Sequence, residues 1–172
     1  MRDVMAQHGK FGMKYIFILL SLFSCSLYAE ELTKKEKLSI EKYLAEREST
    51  LEAHEYAGGR KFLAGSLSKR HNNVLAMMYT LEGFHKGNNY YFFLAVFDRT
   101  EDGAVLLADS IVGGKGSRTL SFKSMGNSLI DFTSKFSLPT DPSCCPTGEG
   151  SAIFYLSSRG KLRELNVSPK MP

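Results

Sequence analysis

Apolar and polar positions change period once along the chain. Thr33 and Glu36 stand three apart, ahead of Ile40, Tyr43, Leu44 and Leu51, which recur at helical spacing with Lys and Glu between them. That is a capping box followed by an amphipathic helix, predicted from about Lys34 to Ser49 with its apolar face on a sheet. Beyond Gly58-Gly59 the period falls to two. RKFLAGSL reads as a short strand and turn, and Val74 to Leu81 as a strand. Tyr90 to Phe97 is the next, and the intervening GFHKGNN makes a hairpin of the pair. AVLLADSIV follows the Glu101-Asp102-Gly103 turn. SRTLSFKS and SLIDFTSKF flank Met125-Gly126-Asn127, and Ser151 to Leu156 turns through Ser158-Arg159-Gly160 into KLREL. The pattern predicts an α+β, mainly β fold: an antiparallel sheet of about five to seven strands carrying one N-terminal helix.

Parity separates the strands. Ile130, Phe132 and Phe136 alternate with Asp131, Thr133 and Lys135, which suits one buried face. From Tyr90 to Phe97 both parities are apolar, so this strand is expected to be covered on both sides. The helix covers one side; a second sheet layer, a partner or a ligand must cover the other. Phe92, Leu94, Val96, Ile130, Phe132 and Phe154 are the expected core.

The first thirty residues stand apart from this pattern. Tyr15 to Ala29 carry no charge, follow Lys14 and precede Glu30-Glu31. Fifteen residues make roughly 22 Å of helix, short of the ~30 Å hydrocarbon core. A positive flank, a short apolar run and a small residue before a charged start describe a secretory signal peptide. The expected division is residues 1–12 as an upstream extension, 13–29 as a signal peptide cut after Ala29, 30–168 as one exported α+β domain and 169–172 as a tail. Two alternatives stay open. Leu22-Phe23-Ser24-Cys25 resembles a bacterial lipobox with Cys25 as the lipidated residue, or the segment is kept as a membrane anchor. The compartment expected is periplasmic or secreted, with a membrane-anchored lipoprotein as the alternative.

Composition then removes some function classes. Of 172 residues 43% are hydrophobic and 23% charged, which excludes disorder as the main state. Without residues 1–29 the chain keeps 19 basic and 17 acidic residues, a net charge of +2. Basic residues form only short pairs such as Lys34-Lys35 and Lys69-Arg70, so no nucleic-acid partner is expected. No stable transmembrane span is expected after signal cleavage.

Cys144 and Cys145 are the cysteines of the mature chain, adjacent, in an oxidising compartment. Pro139, Pro142 and Pro146 bracket them in a rigid loop between two strands. Adjacent Cα atoms sit about 3.8 Å apart, below the usual disulfide window of about 4.4–6.8 Å. A Cys144–Cys145 bridge is therefore possible but strained and easily reduced. Stapling the loop, redox or ligand sensing, and intermolecular pairing are its alternative roles. Replacing both cysteines by Ser is expected to leave the fold intact while altering what the loop contacts.

Asp141-Pro142-Ser143-Cys144-Cys145-Pro146-Thr147 resembles the D-P-x-C-C-P-[ST] signature of small exported bacterial proteins, including the LppP/LprE family of lipoproteins. The likeness spans roughly Gly113 to Leu165. It implies an exported, mostly β domain and no known catalytic activity, so no catalytic residue is carried over. Asp141, Pro142, Cys144, Cys145 and Pro146 are the candidate binding residues.

Other motifs fall short of a chemistry. Phe62 to Ala76 resembles an FG-GAP-type calcium loop, but Ser66, Ser68, Lys69 and Arg70 stand where acidic ligands would be, so no ion is expected. Gly113-Gly114-Lys115-Gly116-Ser117-Arg118 lacks P-loop spacing and reads as a glycine-rich turn with two solvated cations. His54, His71 and His85 are scattered, and Glu52, Glu55 and Asp109 have no sequence relation that pairs them. No catalytic residue, metal or cofactor is assigned. The function expected is a non-catalytic binding or interaction module for an envelope protein or cell-wall component. The alternative is a thiol–disulfide or hydrolytic envelope enzyme using the Cys144-Cys145 loop.

Overall fold

The computed structural model describes residues 31–142 and 145–168; the expected signal peptide and Cys25 lie outside them, as does Cys144. Helix α1 spans Lys34–Leu51, two residues beyond the expected end. Its capping box is formed, with the Glu36 N–H donating to Thr33 Oγ1 and the Thr33 N–H donating to Glu36 Oε2. Nine strands follow: β1 His54–Glu55, β2 Lys61–Gly65, β3 Val74–Glu82, β4 Tyr90–Thr100, β5 Gly103–Gly114, β6 Arg118–Gly126, β7 Leu129–Phe136, β8 Gly148–Leu156 and β9 Leu162–Ser168. Every pairing is antiparallel, in the order β1-β3-β4-β5-β6-β7-β8-β9, with β2 also on β3.

The expected architecture stands, and the strand number of five to seven is corrected to nine. One edge of β3 is shared end to end by β1 and β2, with a 3-10 turn at Ala57–Gly59 between them. A two-residue strand carries no periodicity. It forms because backbone groups at the end of β3 need partners.

The sheet folds over on itself. β5 and β6 share a single pairing, Gly114 with Arg118, whereas β6 and β7 pair along their whole length. The sheet therefore breaks at the glycine turn, and β6 to β9 swing beneath β2 to β5. A Cβ on Gly113 would lie 2.7 Å from the Arg118 carbonyl oxygen, and one on Gly114 would lie 2.8 Å from the Tyr90 carbonyl oxygen. Only glycine fits this corner. At the other end of β6, Asn127 and Ser128 at positive φ make a two-residue hairpin turn. The Ser128 N–H there donates to the Leu67 carbonyl and ties the halves together.

The second layer that β4 requires is thus the other half of its own sheet. On the inner side Val74, Ala76, Met78, Leu94 and Val96 pack against Leu120, Ile130, Phe132, Ala152 and Phe154. On the outer side Ile40 and Leu44 of α1 pack on Leu75, Met77, Tyr79, Phe93, Ala95 and Phe97. β3 and β4 lie between, which is why eight of nine β3 residues are buried. Five of the six expected core residues are buried; Phe92 is half-buried because its strand end opens to solvent.

Charged groups hold the layers in register. Arg99 of β4 donates from Nε to Glu36 Oε1 at 2.6 Å and from Nη2 to Oε2 at 3.2 Å, clamping the start of α1 to the sheet. Between α1 and the sheet, Tyr43 donates to Asp109 Oδ2 at 3.0 Å, and its hydroxyl lies 2.8 Å from that of Tyr79. Arg47 pairs with Asp109 at 3.2 Å. Burial first, and the neighbouring Tyr79 and Asp109 next, push the Tyr43 phenol well above the ordinary tyrosine range, so it stays a neutral donor.

Candidate functional site

Three features meet at the end of the sandwich where β3 ends and β4 begins. The first is a cleft of about 380 Å³ between the two halves of the sheet. Alternation places Met78, Thr80 and Glu82 of β3 on the inner side, and Tyr90 and Phe92 on β4. Leu120 of β6 faces them, and the 3-10 turn brings Tyr56 and Gly59 to the rim with Lys61. Polarity rises along β3, from buried Met78 through Thr80 to exposed Glu82. Gly59 lets the turn approach closely, since a Cβ there would lie 2.9 Å from Thr80 Oγ1.

The second feature is the corner itself, which borders an open depression of about 650 Å³. Its two cations were expected to be solvated together, and the structure separates them. Lys115 is exposed and donates from Nζ to the Asn88 carbonyl oxygen at 2.8 Å. Arg118 points inward, with its side chain 15% exposed. Its Nε donates to the Val112 carbonyl oxygen at 2.8 Å, its guanidinium forks onto Glu164, and it lies 5.8 Å from the Phe154 ring centre. Val112 is a bulge residue on β5, and the other bulge residue, Leu107, has its carbonyl oxygen covered by Gly160. Arg118 and the β8–β9 turn thereby protect the edge of β5 that β6 leaves unpaired.

The third feature is the cysteine loop. Asp141 organises it: Oδ2 accepts from the Leu138 and Thr147 N–H groups, each at 2.8 Å, and Oδ1 accepts from Thr147 Oγ1 at 2.7 Å. The Thr147 hydroxyl foremost, and then the two N–H groups, hold the Asp141 carboxyl below its usual range. The outer residues of the heptapeptide therefore form a clasp closing the loop. Pro142 and Cys145 are exposed, and the Cys145 N–H donates to the Pro142 carbonyl oxygen at 3.0 Å. Pro146 lines a small crevice with Tyr90 and Thr119, and Thr119 also borders the cleft, so loop and cleft are neighbours.

Of the candidate binding residues, Asp141 has both oxygens engaged inside the loop, and Pro146 faces the cleft end. Thr80, Tyr90, Tyr56 and Gly59 were missed. Alternation alone places Thr80 and Glu82 beside Met78 on one face, a signal that the sequence carried. Of the scattered groups, His54 and Glu55 pair with Glu82 and Leu81 at this end and His85 lies in the β3–β4 connection, but none of them lines the cleft. Glu55 pairs with Arg60, Asp109 with Arg47, His85 with Glu52 at 3.4 Å and His71 with Asp98 at 3.5 Å. Among the described residues, no group of three or more His, Cys, Asp or Glu could hold a metal ion. None of their helices is long and apolar enough to cross a membrane. Compared with protein-family models, curated proteins and solved structures, the chain matches none of them.

Proposed function

We propose that this chain is an exported, non-catalytic binding or interaction protein, periplasmic or secreted, with its binding end where the cleft, the glycine corner and the cysteine loop meet. The observation that carries this reading is the apolar cleft opening beside the loop that the D-P-x-C-C-P-T residues build. Clefts of a few hundred Å³ with apolar walls and a few polar groups suit ligand binding. The lining supplies one carboxylate, Glu82, and no histidine. The resemblance to exported lipoproteins and the apolar run from Tyr15 to Ala29 support export.

A Cys144–Cys145 bridge belongs to the same proposal, supported by the adjacency of the two residues between Pro142 and Pro146. An envelope protein or cell-wall component is the partner class. The test is capture from an envelope extract by the tagged mature chain and by its Tyr90→Ala and Cys144→Ser/Cys145→Ser variants. Retention by the parent and loss in the folded variants is the expected result. Equal retention by all three would overturn the placement of the site. A mature N-terminus at Glu30 is expected by mass spectrometry, and an unprocessed chain would overturn export.

A further inference from the structure

The cleft between β3, β4 and β6 has a chemistry narrower than a generic apolar surface. Its floor and walls are Met78, Phe92 and Leu120, without a charge. The charges are at the rim, Lys61 and Glu82, and neither has an ion-pair partner among the described residues. Thr80 lies inside the cleft, 8% exposed, and its hydroxyl has no hydrogen-bond partner among the described residues. Its oxygen is not sealed in the core but reached from the cleft. Thr80 thus presents one unused donor and acceptor to whatever enters.

From these observations we infer that the cleft takes a small uncharged amphiphile with a ring-sized apolar body and one hydroxyl or carbonyl group. The ring lies on Met78, Phe92 and Leu120, and its polar atom bonds to Thr80 Oγ1. Size agrees: an apolar cavity of about 150 Å³ accepts benzene, so about 380 Å³ accommodates one or two rings with a substituent. A charged group set against Met78 and Phe92 would lose its water where the lining is apolar, away from the exposed Lys61 and Glu82. This inference rests on the reading that this end of the molecule is the binding end, and it adds the ligand class.

The test uses phenol and toluene, which match in shape and differ in one polar group, added to the exported full chain. The readout is the NMR shift of the Met78, Thr80 and Leu120 methyl groups. Both probes should give saturable shifts at these methyls. Thr80→Val, which keeps volume and removes the hydroxyl, should weaken phenol about three- to tenfold and leave toluene unchanged or tighter. Thr80→Ser should bind phenol within about twofold of the parent, which keeps the test decisive if the Val variant folds poorly. Absence of saturable shifts at these methyls overturns the inference, as does equal weakening of both probes by Thr80→Val, or saturation by an aromatic peptide side chain and by neither probe. If Tyr90 still governs capture from the extract after such a result, the binding end stands and the ligand class alone has failed.

Discussion

Replacing Glu36 by Ala removes three interactions at once. The Glu36 carboxylate receives two hydrogen bonds from Arg99 and one from the Thr33 N–H, at 2.7 Å. Its side chain is 4% exposed and that of Arg99 13%. Breaking a buried pair by deleting one partner costs roughly 3–5 kcal/mol, because the remaining charge keeps its desolvation penalty. Arg99 keeps some water contact and a further interaction besides Glu36, which places its share at the lower bound, about 3 kcal/mol. Losing half the capping box adds about 0.5–1 kcal/mol. The sum, about 3.5 kcal/mol, should lower Tm by roughly 10 °C. Urea unfolding of the exported chain at pH 7 reads it directly. The Arg99 hydrogen bonds first, working against burial, hold the Glu36 carboxyl below its ordinary value of 4.5. A depressed carboxyl stabilises the fold fully above that value, and the contribution fades as pH falls through the folded one. The gap between parent and variant should therefore be complete at neutral pH and shrink below pH 4.5. The double variant Glu36→Met/Arg99→Met should recover part of the loss, since an apolar pair has no charge to desolvate between helix and sheet. A single-variant cost below about 1 kcal/mol, or a double variant no better than the single, would refute the clamp.

Three further outcomes follow from the geometry. Tyr43→Phe leaves the Tyr79 hydroxyl and Asp109 each short of a partner and should cost about 1–2 kcal/mol by urea unfolding; no measurable cost would mean that the helix docks through Ile40 and Leu44 alone. Gly113→Ala puts a methyl 2.7 Å from the backbone oxygen of Arg118 and should destabilise by about 1–3 kcal/mol, while Gly126→Ala, with nothing within 4 Å, should cost under about 1 kcal/mol. Asp141→Asn should speed amide exchange at Leu138 and Thr147 several-fold and leave the β6–β8 amides protected; the parent should show the same local loosening as pH falls below the depressed Asp141 value.

What the sequence made legible follows from how local each signal is. The capping box, the helix face and the long strands rest on neighbouring residues, and all are present. β1 was invisible because its two residues are held by pairing with Leu81 and Glu82 rather than by their own pattern. Arg118 read as a solvated cation because its partner, Glu164, lies 46 residues away and meets it only after the sheet doubles over. The fold-back was half legible: the doubly apolar parity of β4 demands two covers, but no periodicity says that the second comes from the same sheet. At the site, the heptapeptide builds the loop beside the cleft, and that the Asp141 oxygens close this loop depends on Leu138 and Thr147, which only the folded backbone brings to them. Thr80 went unnoticed because a lone Thr in an apolar strand is unremarkable until the strand beside it opens.

The placement of the binding end is tested most directly by photo-crosslinking from two positions at opposite ends of the sandwich. A photoreactive residue at Tyr90 borders both the cleft and the Pro146 crevice, and one at Ser158 lies in the β8–β9 turn beside Leu67 and His71. Introduced into the exported chain in living cells, Tyr90 should yield a discrete crosslinked product that Tyr56→Ala or excess ligand diminishes, and Ser158 should yield none. A product from Ser158 with none from Tyr90 would place the binding surface at the other end and contradict the reading.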